Sequence, residues 1–171
     1  GTIGQGDQCA PSKMLATALN LEVPGSIGLN YETTAMNNLL SKGVAVVVTD
    51  YIGLGTPGRP HTYMNREVQG RAVLDMARAA KSIPGAGLAD SPVGITGYSQ
   101  GGGAAATAAE LTSTYAPDLD VKGVVAGAVP ADLGAVGANL DGSLFAGFLG
   151  YALIGLAAVA LAIMAFAVGV L

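Results

Sequence analysis

Histidine occurs once in the 171 residues, as His61, and cysteine once, as Cys9. A single cysteine makes no intrachain disulfide and no CxxC metal site. It reads either as a small buried apolar residue or as half of a bond to a cysteine elsewhere. With one imidazole and one thiol, a zinc centre would need carboxylates in a geometry that no motif here provides. Charge is scarce too: 12% of residues are charged, and the net charge is −4. The basic residues scatter from Lys13 to Lys122 instead of clustering, which argues against a nucleic-acid surface. The chain opens on Gly1, with neither initiator Met nor signal peptide, in what reads as a loop. Processing or fragmentation would each account for that. From Gly142 to Leu171 there is no charged residue at all.

Apolar residues make up 51% of the chain, which excludes disorder, and the length suits one domain with a real core. No internal repeat or linker interrupts it. TTAMNNLLSK at 33–42, stopped by Gly43, predicts a helix. GVAVVVTD follows, and its uninterrupted β-branched run predicts a strand over 44–49 buried on both faces. Pro57 and Pro60 mark the next segment as a loop. Asn65 reads as the N-cap of a helix running to about Ile83, with Val68, Ala72, Met76, Ala79, Ala80 and Ile83 on its apolar face. A strand over 92–98, an alanine-rich helix over 100–115 and a strand over 121–129 complete the pattern. Such alternation gives an α/β fold, a parallel sheet covered on both faces by right-handed crossovers.

In such a sheet, ligands bind beyond the carboxyl ends of the strands. Ser99 lies there, within GYSQG, between a predicted strand and a predicted helix. GxSxG sets a serine on a strained turn, and the flanking glycines Gly97 and Gly101 are expected to make room for the bend. Ser99 is the candidate nucleophile. The helix starting at Gln100 aims its N-terminal amides at the reaction centre, so the Gln100 N–H is a candidate oxyanion donor. One such donor is worth roughly 3 kcal/mol to a transition state. A second donor is expected from the glycine-rich loop GTIGQGD at 1–7, at Thr2 or Ile3.

GLGTPG at 53–58 matches GxGxxG, but Pro57 lies inside it and Arg59-Pro60-His61 follows where a helix should begin. Asp75, at the spacing of a ribose ligand, falls within a predicted helix. Dinucleotide binding is therefore not expected.

Together, GDQCAPS at 6–12, VVVTDYIGLGTPGRPHTY at 46–63, GRAVLDMARAA at 70–80, GYSQGGGAA at 97–105 and SLFAGFLGYALIGLA at 143–157 resemble the secretory lipase family, α/β-hydrolases related to fungal lipase A. The resemblance implies a partial α/β-hydrolase core over 1–142 and an apolar helical segment over 143–171, the start of a lid. It implies a secreted, cofactor-free serine esterase or lipase acting on ester or lipid substrates. Ser99 would be its nucleophile and the Gln100 N–H an oxyanion donor. It also implies that Cys9 normally pairs with a later cysteine.

The family order is serine, acid, histidine, yet no histidine follows Ser99. The expectation is an incomplete chain, weakly active or inactive, with His61 a less favoured stand-in base and Asp132 an ordinary loop carboxylate. The other class of function is a membrane-associated or self-associating module, because a bilayer is spanned by about 20 apolar residues and the tail is long enough for lipid-surface contact.

Overall fold

The computed structural model describes residues 6–18, 32–56 and 58–167. After a single 3-10 turn at Asp7–Cys9 come helices α1 (Pro11–Ala18), α2 (Thr33–Ser41) and α3 (Arg66–Lys81). Strand β1 (Val93–Tyr98), helix α4 (Gln100–Tyr115) and strand β2 (Val121–Gly127) follow, then α5 (Leu133–Leu140) and α6 (Gly147–Ala167). Among the described residues the sheet has two strands, β1 and β2, paired in parallel with Thr96 opposite Val125. The crossover between them is α4, as the alternation predicts.

Packing centres on the α3–α4 side of this sheet. Leu74 and Ala77 of α3 meet Ile95 of β1 and Ala105 and Ala108 of α4 in one buried cluster. Alanine dominates α4 because its helix lies close to both neighbours, and close approach leaves volume for little more than a methyl group. Gly70 serves the same purpose on α3: a Cβ there would stand 2.7 Å from Thr107 Cγ2. On the opposite face Tyr98 and Val125 remain 57% and 70% exposed.

Three expectations need correcting. The face of α3 that is buried carries Gln69, Gly70, Leu74, Ala77 and Ala80, whereas Ile83, placed on the apolar stripe, is 55% exposed. Contact with α4 rotates the helix toward its small residues, which apolar periodicity alone underweights. Among the described residues, 44–50 pair with no strand: Val44 N–H bonds the Leu39 carbonyl at 3.1 Å, but no ladder joins the segment to β1. A cavity of about 350 Å³ is lined by Val44–Thr49 and by β1, and Val44 and Val47, expected to be buried, are 46% and 47% exposed among the described residues. Finally, α5 was not anticipated. Asp132 caps it, its carboxylate accepting from Ala135 N–H at 2.9 Å.

The predicted cap of α3 is present, with Asn65 Oδ1 accepting from Val68 N–H at 3.0 Å. At the far end of the same helix, Arg78 reaches Asp118 and the Tyr115 carbonyl and so ties α3 to the end of α4. That pairing holds the Asp118 carboxyl down, at about 2.

Candidate active site

Ser99 joins β1 directly to α4 with φ 56 and ψ −116, a conformation that L residues seldom adopt. The strain is sustained by its surroundings. The Ser99 N–H donates to the Gly127 carbonyl at 3.0 Å, fixing the turn to the end of β2, and the Ser99 carbonyl accepts from Gly103 N–H at 3.0 Å. A Cβ at Gly97 would collide with the Gly101 main chain, so the bend closes only with glycine there. Gly101 itself faces open space. The second close approach is instead at Gly102, where a Cβ would fall on the Gly127 carbonyl oxygen. Sequence reasoning chose the glycine that fits the motif, whereas the tight packing is against the neighbouring strand.

Gln100 is the first residue of α4 and is 3% exposed, so its N–H stands beside Ser99 at the positive end of the helix. Thr2 and Ile3 lie outside the described residues. His61 is 1% exposed, with both ring nitrogens engaged. Its Nδ1 is 3.0 Å from the Ile52 carbonyl, which can only accept, so Nδ1 carries the proton. Its Nε2 then accepts from the Gln100 side-chain amide at 2.8 Å. Burial pushes its pKa below the ordinary value, favouring the neutral ring. The imidazole stacks on Tyr51, whose own hydroxyl is pushed up to about 12 by burial and by Glu32.

The other quoted motifs converge on the same loop. Asp50 accepts from the Ser12 N–H at 2.8 Å and from its hydroxyl at 2.5 Å, which fastens the CAPS turn beside the DYIGLG loop. Gly53 has φ 87, and a Cβ there would strike the Pro60 carbonyl, so this glycine lets the loop fold back on itself and deliver His61 inward. That is the work of the GxGxxG-like run. Cys9 is a free, half-buried thiol. Asp50 and Gly102 were missed as structural supports of the site. Three-dimensional pairing, not a local pattern, reveals them.

Parallel strands joined through a helix, with a serine at φ 56 on the strand-to-helix turn, define an α/β-hydrolase fold. The model of the Secretory lipase family matches residues 19–164, and the chain belongs to that family. A probable inactive lipase of Mycobacterium tuberculosis is 42% identical over 118 residues, covering 68% of this chain and 25% of the relative. A secreted triacylglycerol lipase of Malassezia globosa is 37% identical over 145 residues, 84% of this chain and 30% of the relative. The solved structure of Candida antarctica lipase A in its closed state matches with a TM-score of 0.63 and 29% identity, over 89% of this chain and 33% of that one. The chain thus spans between 25% and 33% of the length of these three proteins.

Proposed function

We propose that this chain carries the nucleophile half of a serine-dependent carboxylic-ester hydrolase. The strained Ser99 turn is the observation on which the reading rests. Ser99 Oγ would attack the ester carbonyl carbon and pass its proton to a base. The carbonyl oxygen would become an oxyanion facing the Gln100 N–H, and its collapse would expel the alcohol and leave an acyl-enzyme. Water then returns the carboxylic acid and the free serine. The names of the relatives favour acylglycerol substrates and an extracellular setting.

The base is the missing half. No histidine follows Ser99 in the sequence, and the nitrogens of His61 are committed to Ile52 and Gln100. His61 is therefore a support of the α4 start, and the 171-residue chain is weak or inactive alone. Without a base, oxyanion donors and binding leave roughly 10³–10⁴-fold acceleration over water. The test is turnover of p-nitrophenyl butyrate and fluorophosphonate labelling, each with a Ser99→Ala control. Slow, Ser99-dependent labelling with little turnover is expected. Brisk Ser99-dependent turnover would make His61 the base, and labelling unaffected by Ser99→Ala would end the hydrolase reading.

One observation favours a second, membrane-associated or self-associating role. α6 has mean hydropathy 2.3, yet only 6% of its most apolar window is buried. Its 21 residues reach about 31 Å at 1.5 Å each, the depth of a bilayer core. Flotation with phosphatidylcholine liposomes, with and without residues 143–171, tests lipid contact. Sedimentation of the same pair tests self-association.

A further inference from the structure

Ala128 has φ 48, a left-handed backbone that is costly for an L residue and persists only where the surroundings dictate it. It follows Gly127, whose carbonyl accepts the Ser99 N–H at 3.0 Å. Glycine and alanine stand here in the reverse of the order that backbone preference alone would choose. Gly127 ends β2 without a positive φ, and space explains its choice, since a Cβ there would stand 3.0 Å from Tyr98 Cδ2. The left-handed turn falls on alanine, one residue later.

No neighbouring residue can take that turn over. Gly127 is held in the ladder opposite Tyr98. Val129 precedes Pro130, whose ring disfavours the helical region at 129 and keeps that residue extended. Pro130 has its own φ locked near about −65°. Its ring is also seated on the first turn of α4, with Cδ 3.4 Å from where a Gly103 Cβ would lie. Bringing Pro130 from the end of β2 onto Gly103 therefore requires the bend at Ala128. With Pro130 seated, a negative φ at 128 would rotate the Gly127–Ala128 peptide and draw its carbonyl off the Ser99 amide.

We propose that Ala128 is a positioning residue for Ser99. Its left-handed backbone keeps the Gly127 carbonyl on the Ser99 amide, and that bond holds the strained turn from which the hydroxyl projects. Ala128 acts through Gly127 and touches no substrate. The proposal rests on the reading of Ser99 as a nucleophile. It assigns the direction of that nucleophile to the end of β2 as well as to the glycines of the motif.

The test compares the full chain with Ala128→Gly, Ala128→Asn and Ala128→Val. Glycine and asparagine accept a left-handed backbone more readily than alanine, and β-branched valine resists it most. Exchange of the Ser99 amide, read by NMR relative to Ile95 in β1, should slow about fivefold in Ala128→Gly. It should slow less in Ala128→Asn and quicken in Ala128→Val. The saturating rate of fluorophosphonate labelling should fall about tenfold in Ala128→Val, as misplaced nucleophiles do, at an unchanged half-saturating concentration. Both other variants should label at or above the parent rate. Ser99 exchange no slower in Ala128→Gly and Ala128→Asn would overturn the proposal, even with Ala128→Val unable to fold. So would parent-like labelling in Ala128→Val with only its unfolding midpoint shifted, the mark of a merely structural turn. Labelling that Ser99→Ala leaves intact would remove the hydrolase reading and this proposal together. Ser99-dependent labelling that ignores residue 128 would remove the proposal alone.

Discussion

His61 Nε2 accepts a hydrogen bond from the Gln100 side chain at 2.8 Å, joining the loop after residue 50 to the helix that backs Ser99. The bond exists only while the ring is neutral, since a protonated Nε2 faces the amide with a hydrogen of its own. The pKa of His61 is lowered by burial. Between that value and the ordinary His value of about 6.5, the unfolded chain binds more protons than the native one. Stability is therefore complete above about pH 6.5 and is lost as pH falls toward the native pKa, at no more than about 1.4 kcal/mol per pH unit. Denaturant titrations from pH 7.5 to 5 check this, and His61→Gln should flatten the slope. In His61→Ala, the unmatched Ile52 carbonyl and Gln100 amide and the space left behind should cost about 2–4 kcal/mol at pH 7.5.

Ser99 at φ 56 and ψ −116 holds strain that glycine would not feel. Ser99→Gly should gain about 1 kcal/mol in equilibrium unfolding while abolishing fluorophosphonate labelling. Ser99→Ala keeps the Cβ and so keeps the strain. Its stability should stay near that of the parent while its labelling is equally lost. The contrast between these two variants separates the backbone from the hydroxyl.

Much of this site was legible in the sequence, and the boundary of what was legible is physical. GYSQG between a strand and a helix, and Asn65 ahead of α3, are local codes, and local geometry follows from them. The buried face of α3 depends on Thr107 across the helix interface, and the state of residues 44–50 depends on a neighbour in the sheet. Neither is encoded in the segment itself. Valine-rich composition states that a segment can be a strand; hydrogen-bonding partners decide whether it is. The same limit explains Gly101 and Gly102, which are indistinguishable along the chain but differ in what faces them.

That difference is directly testable. Gly101 has open space where a Cβ would go, and alanine is the better helix former by about 1 kcal/mol, so Gly101→Ala should leave stability unchanged or improved. Gly102→Ala would push against the Gly127 carbonyl that accepts the Ser99 N–H. Gly97→Ala would push against the main chain of Gly101. Each of these two should lose about 2 kcal/mol or more, as overpacked sites do, and labelling at Ser99 should fall with it. Equal tolerance at all three positions would show that the bend is looser than this packing implies.

Where α6 meets the rest of the chain, its only buried residue is Gly155, and a Cβ there would strike the main chain of Tyr63. Beside it the Tyr63 and Tyr151 rings meet edge to face with centroids 6.2 Å apart. Because Tyr63 lies two residues from His61, the apolar helix rests on the loop that holds the start of α4. Gly155→Val should force α6 away from Tyr63 and free residues 143–167 to proteases that spare them in the parent. An exposed change of similar bulk and β-branching, Ala157→Val, controls for altered helix propensity, since it adds volume away from that contact. Limited proteolysis followed by mass spectrometry reads the cleavage sites. Faster cutting in Gly155→Val alone would identify the glycine contact as the clasp. Equal cutting in both variants would mean that α6 is held by nothing so local, and that its apolar surface has to find its partner elsewhere.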